Sequence, residues 1–377
     1  GDDTLNGGLT RDTLYGGNGN DVLHAGPRDD LDSLYGGAGD DVYYGFTGTV
    51  IEENADEGID TVHTAGTWSS NGAIFQGGGF ELGANLENLV LDDGLYGYGN
   101  ELDNQITGNF RDNELRGYAG NDTLNGGAGN DVLDGGIGND VLRGQDGDDD
   151  LRGGAGDDQL NAGGGNDTLQ GDAGNDVLRG QAGDDYLRGG ADNDDLFGGT
   201  QNDTLYGDAG NDRLYGNNGD DFVNGGNGDD NVFGGAGYDR VYGGAGNDIM
   251  NGHSGDDFLV GGTGIDLIVG GTGADRFVFG DGDFGPDLSA TDRIKDFSNE
   301  EGDLIDLRRV DADTGSAGDQ AFTWIGNAAF SGTAGELRYN WSGNTTVITG
   351  DTDGDGTADF ALWLTGQIGV IQGDFVL

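Results

Sequence analysis

A nine-residue period governs most of this chain. From Gly99 to Val278 the sequence divides into 20 consecutive nine-residue units without an insertion or a deletion. One unit is Gly126-Gly127-Ala128-Gly129-Asn130-Asp131-Val132-Leu133-Asp134; a distant one is Gly243-Gly244-Ala245-Gly246-Asn247-Asp248-Ile249-Met250-Asn251. The eighth position is apolar every time, as in Leu124, Leu160, Val232, Ile268 and Phe277. The sixth position is Asn104 and Asn113 in the first two units. In every later unit it is Asp: Asp122, Asp131, Asp140, Asp149, Asp158, Asp167, Asp176, Asp185, Asp194, Asp203, Asp212, Asp221, Asp230, Asp239, Asp248, Asp257, Asp266 and Asp275. A shorter block at the start sets Asp3, Asp12, Asp21, Asp32 and Asp41 two residues before Leu5, Leu14, Leu23, Leu34 and Tyr43. Its fourth unit, Ala25 to Tyr35, is eleven residues long and contains Pro27, so one turn there is expected to bulge. A fixed short period of this kind belongs to solenoids.

Composition confirms how unusual the pattern is. The 377 residues include 84 Gly, two Pro and no Cys, with 71 acidic against 16 basic residues and a net charge of −55. Only ten of the acids are Glu, and none lies between Glu114 and Glu300; the sole lysine is Lys295. Low hydrophobicity with high charge usually means disorder, but here Gly and Asp keep strict phase. A polyanion of this size repels nucleic acid and anionic membrane surfaces, so neither is an expected partner. No apolar run is long enough to span a bilayer, so membrane insertion is not expected either. Without Cys, disulfides and thiolate metal sites are excluded.

The unit has a physical logic. Gly-rich residues form a turn because Gly takes positive φ without steric cost. The next three residues, apolar at the centre, form a short strand whose middle side chain points inward. Two units complete one coil, so each unit stacks on the next but one and the sixth-position Asp residues fall into two columns. Neighbours in a column sit about one strand spacing, ~4.8 Å, apart, and repel by roughly 3.5 kcal/mol at an effective dielectric near 20. Summed along both columns this exceeds the roughly 5–15 kcal/mol net stability of a domain. A hard divalent cation removes the conflict. Calcium accepts six to eight oxygens from carboxylates and carbonyls, whereas magnesium demands tight octahedral geometry. Zinc would need His or Cys, and His24, His63 and His253 lie far apart in sequence. Filling the gaps between coils takes on the order of sixteen or more Ca²⁺.

Gly-Gly-x-Gly-x-Asp-x-apolar-x over residues 1–44 and 99–278 resembles the signature of the RTX (repeats-in-toxin) family. The resemblance implies an all-β fold, a right-handed parallel β-roll or β-solenoid of nine-residue repeats that binds calcium. Residues 45–98 break the register but hold strand-like pieces, Thr49-Val50-Ile51, Asp60-Thr61-Val62-His63 and Leu86 to Leu91, expected as wider rungs continuing the stack. Glu52, Glu53, Glu57 and His63 are expected at solvated rung edges rather than as an acid–base site. Asp192 and Gln201 replace fourth-position glycines, so the turns around Asp194 and Asp203 are expected to bind calcium loosely. Arg143, Arg152, Arg179 and Arg188, at position nine, are expected as solvated, charge-diluting residues.

After Val278 the glycines thin and Trp324, Trp341 and Trp363 enter. The runs Asp292 to Phe297, Gly302 to Leu307, Phe330 to Arg338 and Gly354 to Phe360 resemble the C-terminal domain of serralysin-type exoproteins, which implies a β-sandwich cap over residues 279–377. Asp351, Asp353, Asp355 and Asp359 have the spacing of a calcium loop without its terminal Glu; an acidic hairpin turn is an equal alternative. The ending Asp374-Phe375-Val376-Leu377 resembles a type I secretion signal. No His-Glu-x-x-His and no Gly-x-Ser-x-Gly occurs, and Gly252-His253-Ser254-Gly255-Asp256 fails at its last residue, so no catalytic site is expected.

Four segments are therefore expected: 1–44 a short repeat block, 45–98 irregular rungs, 99–278 the main roll, and 279–377 the cap and secretion domain. The chain opens in mid-unit without an initiator Met, so a piece of a longer exoprotein or a mature product is expected. Its expected role is a secreted calcium-binding module that folds after passing the type I secretion apparatus. A surface-layer, adhesin or filament protein that self-assembles is the alternative from another class, and a module binding cell-surface polysaccharide is a third.

Overall fold

The period of two along a strand decides what each unit buries. In most units the sixth, eighth and next first positions face inward: an Asp, an apolar side chain and a Gly, as in Asp203, Leu205 and Gly207. The flanking odd positions face out. The computed structural model describes residues 1–26, 31–45, 49–55, 57–64, 79–284, 288, 291–316 and 320–377. Pro27 and the bulge expected around it lie outside these residues. The chain is all-β, a parallel β-solenoid, in two units, Gly1–Ala182 and Gly183–Leu377.

In the first unit, two series of parallel strands alternate along the chain. Val141–Asp146 pairs with Gln159–Gly164, Leu142 standing opposite Leu160; Val132–Ile137 pairs with Asp150–Ala155 in the other series. Each unit thus stacks on the next but one, as the period requires. The strands are longer than the expected three residues. They run from position seven to position three of the following unit, because the Gly-Gly pair also joins the ladder, with Gln145 opposite Gly163. The irregular segment continues both series. Thr61–Thr64 pairs with Val42–Gly45 and with Asn88–Leu91, and Tyr96–Tyr98 joins Gly79–Glu81 to Glu114–Ala119.

In the second unit the same stacking runs from Tyr186–Ala191 to Arg276–Gly280 and then past the last repeat. Leu304–Arg309 pairs in parallel with Arg276–Gly280, and Phe375–Val376 with Leu304–Arg309. On the other side Arg293–Ile294 receives Phe360–Thr365 in parallel. There the topology changes: Phe360–Thr365 pairs antiparallel with Thr345–Asp351, which pairs antiparallel with Glu336–Ser342. Trp324, Tyr339 and Phe375 pack their rings together beside this meander. Among the described residues, no helix is long and apolar enough to cross a membrane.

The core is narrow. Eighth-position side chains from Leu124 to Phe277 are at most 1% exposed; within a unit each stands opposite its counterpart one coil away, as Leu142 does Leu160 and Leu205 does Val223. Truncating one leaves a cavity that so thin an interior cannot close. Leu205→Ala is expected to cost about 2–5 kcal/mol in calcium-saturated protein, while Thr204→Ala, its outward neighbour, stays within about 0.5 kcal/mol. Urea denaturation midpoints in excess calcium check both.

Candidate calcium ladder

The alternation that buries the leucines also buries the aspartates. All eighteen sixth-position Asp residues from Asp122 to Asp275 are at most 3% exposed. Each carboxylate oxygen has a different fate. In the first unit the backbone N–H of Asn104 donates to Oδ1 of Asp122 at 2.6 Å, and that of Asp122 to Asp140 at 2.7 Å. The other edge repeats the pattern, Asn113 to Asp131 and Asp131 to Asp149, each at 2.7 Å. In the second unit the links run from Asp203 to Asp221 and from Asp221 to Asp239 at 2.8 and 2.9 Å, and from Asp212 to Asp230 and Asp230 to Asp248 at 2.8 and 2.9 Å.

The second oxygen has no such donor. Oδ2 of Asp122, Asp131, Asp140, Asp149 and Asp158 in the first unit is buried without a hydrogen bond. So is Oδ2 of Asp203, Asp212, Asp221, Asp230, Asp239, Asp248, Asp257, Asp266 and Asp275 in the second. A buried ionised carboxylate without a partner is among the costliest groups a fold can hold. Burial accordingly pushes these carboxyls up, against the opposing effect of the N–H on Oδ1. Asp203 is raised to about 8, Asp122, Asp131, Asp230 and Asp275 to about 7, and Asp212 and Asp257 to about 6.

One neighbour of Oδ2 is a carbonyl oxygen. A Cβ added to Gly207 would collide with both Asp212 Oδ2 and the carbonyl oxygen of Gly225, one coil away; Gly216 and Gly243 stand in the same relation to Asp221 and Gly234, and to Asp248 and Gly261. The glycine at position one therefore keeps open an atom-sized cradle lined by a carboxylate and a carbonyl. Position two holds the turn itself: Gly127 and Gly154 have φ of 115° and 113°. Oxygen donors alone, some ionised, suit a hard cation such as calcium and not zinc. Only Ala162 replaces the first-position glycine in the main block, and its methyl is fully buried.

The first block joins this arrangement in part. Asp21, Asp32 and Asp41 are at most 2% exposed, and Asp41 Oδ1 accepts the Asp21 N–H at 2.7 Å. Asp12 is half-buried and Asp3 exposed; their own N–H groups donate to Asp32 and Asp21. The ladder also includes residues outside the nine-residue register. Asp60 Oδ1 accepts from Asp41 at 2.8 Å and Glu87 Oε2 from Asp60 at 2.9 Å. Beyond the last repeat, Asp292 accepts from Asp266 at 2.9 Å and Asp303 from Asp275 at 3.0 Å. Asp292 Oδ2 is buried without a partner, and its carboxyl is raised to about 8 by burial first and then by Asp266. A recoverable signal was present: Asp60-Thr61-Val62, Asp292-Arg293-Ile294 and Asp303-Leu304-Ile305 keep the Asp-x-apolar core of the repeat without its glycines.

Other expectations fare differently. Asp192 and Gln201 adopt φ of 74° and 79°, the left-handed turn of the glycines they replace, and Asp194 and Asp203 stay 1% exposed. Arg152 and Arg188 are exposed, yet each pairs with a position-two Asp of the next coil, Asp172 and Asp208. Glu52 is exposed, while Glu53 is not a solvated edge. It accepts from Gly36 N–H at 2.9 Å and from the fully buried Tyr43 hydroxyl, and burial raises its carboxyl. Glu57 accepts from Asn54, and His63 stacks on Tyr44. In the C-terminal loop, carboxylate oxygens of Asp351, Asp353 and Asp359 lie within 4.8 Å of one another. Asp355 turns away to Thr357. This loop also connects the antiparallel strands Thr345–Asp351 and Phe360–Thr365.

Comparison with known families places the repeats. The RTX calcium-binding nonapeptide repeat matches residues 1–48 and 98–283 in overlapping four-repeat spans. The chain belongs to this family of calcium-binding, non-catalytic repeat modules. No curated protein matches it. Among solved structures, the AlgE6R3 subunit of the Azotobacter vinelandii mannuronan C5-epimerase is similar, at 26% identity over 40% of this chain and 80% of that one, with a TM-score of 0.30. The AlgE6R2 subunit of the same enzyme matches at 26% over 40% and 88%, TM-score 0.29. A hyperactive, Ca²⁺-dependent, β-helical antifreeze protein from an Antarctic bacterium matches at 18% over 78% and 86%, TM-score 0.37.

The raised carboxyls carry a pH dependence of definite sign. A group whose folded pKa exceeds its unfolded value favours folding at low pH and withdraws that support as the pH rises through the folded value. With folded values from about 6 for Asp212 to about 8 for Asp203 against 3.8 unfolded, the metal-free roll is expected to gain structure as the pH falls from about 8 towards 4. Far-UV circular dichroism in a chelator checks this. Calcium affinity is expected to fall over the same range, because protons and calcium compete for Oδ2.

Proposed function

We propose that the chain is an extracellular calcium-triggered folding module, with Oδ2 of the sixth-position aspartates as its principal ligands. The observation that carries this reading is the set of buried, donor-less carboxylate oxygens facing carbonyls across a glycine cradle. The ligand set comprises Asp122 to Asp275 at every ninth residue, with Asp3, Asp12, Asp21, Asp32 and Asp41 in the first block and the loop of Asp351, Asp353, Asp355 and Asp359. Asp60, Asp292 and Asp303 join it. Calcium, when bound, supplies the positive charge that lets these carboxylates remain ionised inside the roll. The protein supplies the rest: Oδ1 is anchored by an N–H of the stacked coil, the glycine leaves room, and the aliphatic column excludes water.

Binding and folding are then one event, since the cradle needs two stacked coils to exist. Where calcium is scarce the chain remains extended and suits export through the type I secretion apparatus; outside, calcium at about 10⁻⁴–10⁻³ M saturates sites of extracellular strength. The boundaries at residues 44, 98 and 278 separate the two repeat blocks from irregular rungs and from a C-terminal segment of serralysin type that caps a right-handed roll. The module is a part of a larger exoprotein in this reading.

One observation favours the alternative of an assembling or adhesive surface protein. Phe197, Tyr215 and Phe233 stack in a half-buried column on an outward face of the second unit, with centroids 5.0 and 4.9 Å apart. Electron microscopy of the calcium-loaded chain would show sheets or fibres if that column served assembly, and dispersed particles if it did not.

The folding reading is tested by titration. Low-millimolar calcium is expected to convert a largely unfolded circular dichroism spectrum to a β spectrum at neutral pH, whereas equal magnesium leaves it unfolded. Asp221→Asn together with Asp239→Asn should shift the calcium midpoint upward several-fold. A spectrum indifferent to calcium would remove the proposal.

A further inference from the structure

The first two units of the main block are built unlike those that follow. From Tyr118 onward the turns use left-handed backbone at positions two and four, as at Tyr118 and Gly120 with φ of 78° and 117°. No residue from Leu86 to Gly117 takes such a conformation. In its place, asparagine amides bridge the coils. Asn100 Nδ2 donates to the carbonyls of Gly83 and Leu86 at 2.8 and 2.7 Å, and Asn104 Nδ2 to those of Leu86 and Glu87 at 3.3 and 3.2 Å. The next unit repeats this on the opposite edge. Asn109 Nδ2 reaches Leu91 and Gly94 at 3.0 and 2.7 Å, and Asn113 Nδ2 reaches Gly94 at 3.1 Å.

Each sixth-position amide is also satisfied on its oxygen. Asn104 Oδ1 accepts the N–H of Asn100, and Asn113 Oδ1 that of Asn109, both at 2.7 Å. The amide donors tie these coils to carbonyls of the preceding segment, those of Gly83, Leu86, Glu87, Leu91 and Gly94, and no carboxylate charge needs neutralising at Asn104 or Asn113. The neighbouring core is also richer: Leu82, Leu86, Leu89 and Leu91 are at most 4% exposed, four buried leucines in a stretch where a repeat offers one. An ion pair, Arg111 to Asp93, ties the same coils from outside.

We propose that the coils closed by Asn100, Asn104, Asn109 and Asn113 form a calcium-independent seed on which the calcium-dependent repeats of the first unit assemble. This rests on the calcium-folding reading above and adds where folding starts. The first aspartate on each edge docks directly on the seed, since Asp122 and Asp131 accept the N–H groups of Asn104 and Asn113. Calcium then extends order coil by coil from a template that already exists, which removes the need to nucleate two stacked coils and their ions at once.

Hydrogen exchange read by mass spectrometry on the full chain, with chelator and with calcium, tests this. In chelator, amides of residues 83–115 should exchange at least tenfold more slowly than those of 122–176, and calcium should slow the latter to match. Equal, fast exchange in both segments with chelator overturns the seed and leaves calcium-dependent folding intact. Equal, slow exchange in both overturns the seed and the calcium reading together. Asn104→Asp with Asn113→Asp should abolish the protection of 83–115 in chelator and restore it in calcium; unchanged protection in chelator overturns the proposal. Should that variant not fold in calcium, the comparison of the two segments in the natural chain decides alone.

Discussion

A single oxygen atom per repeat sets the terms for this protein. Oδ1 of a ladder aspartate such as Asp122, Asp149, Asp221 or Asp248 is committed to an N–H of the stacked coil, which fixes the carboxylate's direction and brings Oδ2 into the interior beside a carbonyl. In Asp203, Asp221 or Asp248 that oxygen meets no donor. Neither the narrow aliphatic column nor the backbone ladder can compensate a series of buried charges spaced one strand apart, where each adjacent pair repels by roughly 3.5 kcal/mol. Either protons or a multivalent cation must enter, and at neutral pH the geometry favours calcium.

The rest of the repeat follows from that oxygen. No Glu lies between Glu114 and Glu300, although Glu87, ahead of the repeats, accepts the Asp60 N–H with Oε2. Any side chain at position one would fill the cradle, hence Gly207, Gly216 and Gly243. Position eight must be apolar because it shares the inward face with the aspartate. Positions seven and nine face out and vary freely, from Arg152 paired with Asp172 to Phe197 stacked on Tyr215.

Much of this was legible in the sequence because the physics is local and repeats. The coil length, the inward face, the ladder and the choice of cation all derive from residue types at fixed offsets. What escaped derives from contacts the period does not encode. Asp60, Glu87, Asp292 and Asp303 join the ladder through strands of irregular spacing, so a search in steps of nine passes over them, although the first, third and fourth keep Asp-x-apolar. The strand length was underestimated because glycine reads as a turn residue, yet the extended glycines at position one and their neighbours pair across coils. The sequence pattern places Glu53 at a solvated edge, because nothing in it reveals that Tyr43 extends its hydroxyl to Glu53. The closure of two coils by asparagine amides was visible as Asn100 and Asn104 followed by Asn109 and Asn113, but its meaning depends on carbonyls in a segment without the repeat.

The most direct test is to count the metal and the folded fraction together. Protein dialysed against graded free calcium would be analysed by atomic emission for bound calcium and by circular dichroism for β content in the same samples. If the buried oxygens need the ion, the two curves rise together and saturate with many calcium ions per chain. A chain that reaches its full β content while holding no calcium at neutral pH would contradict the account.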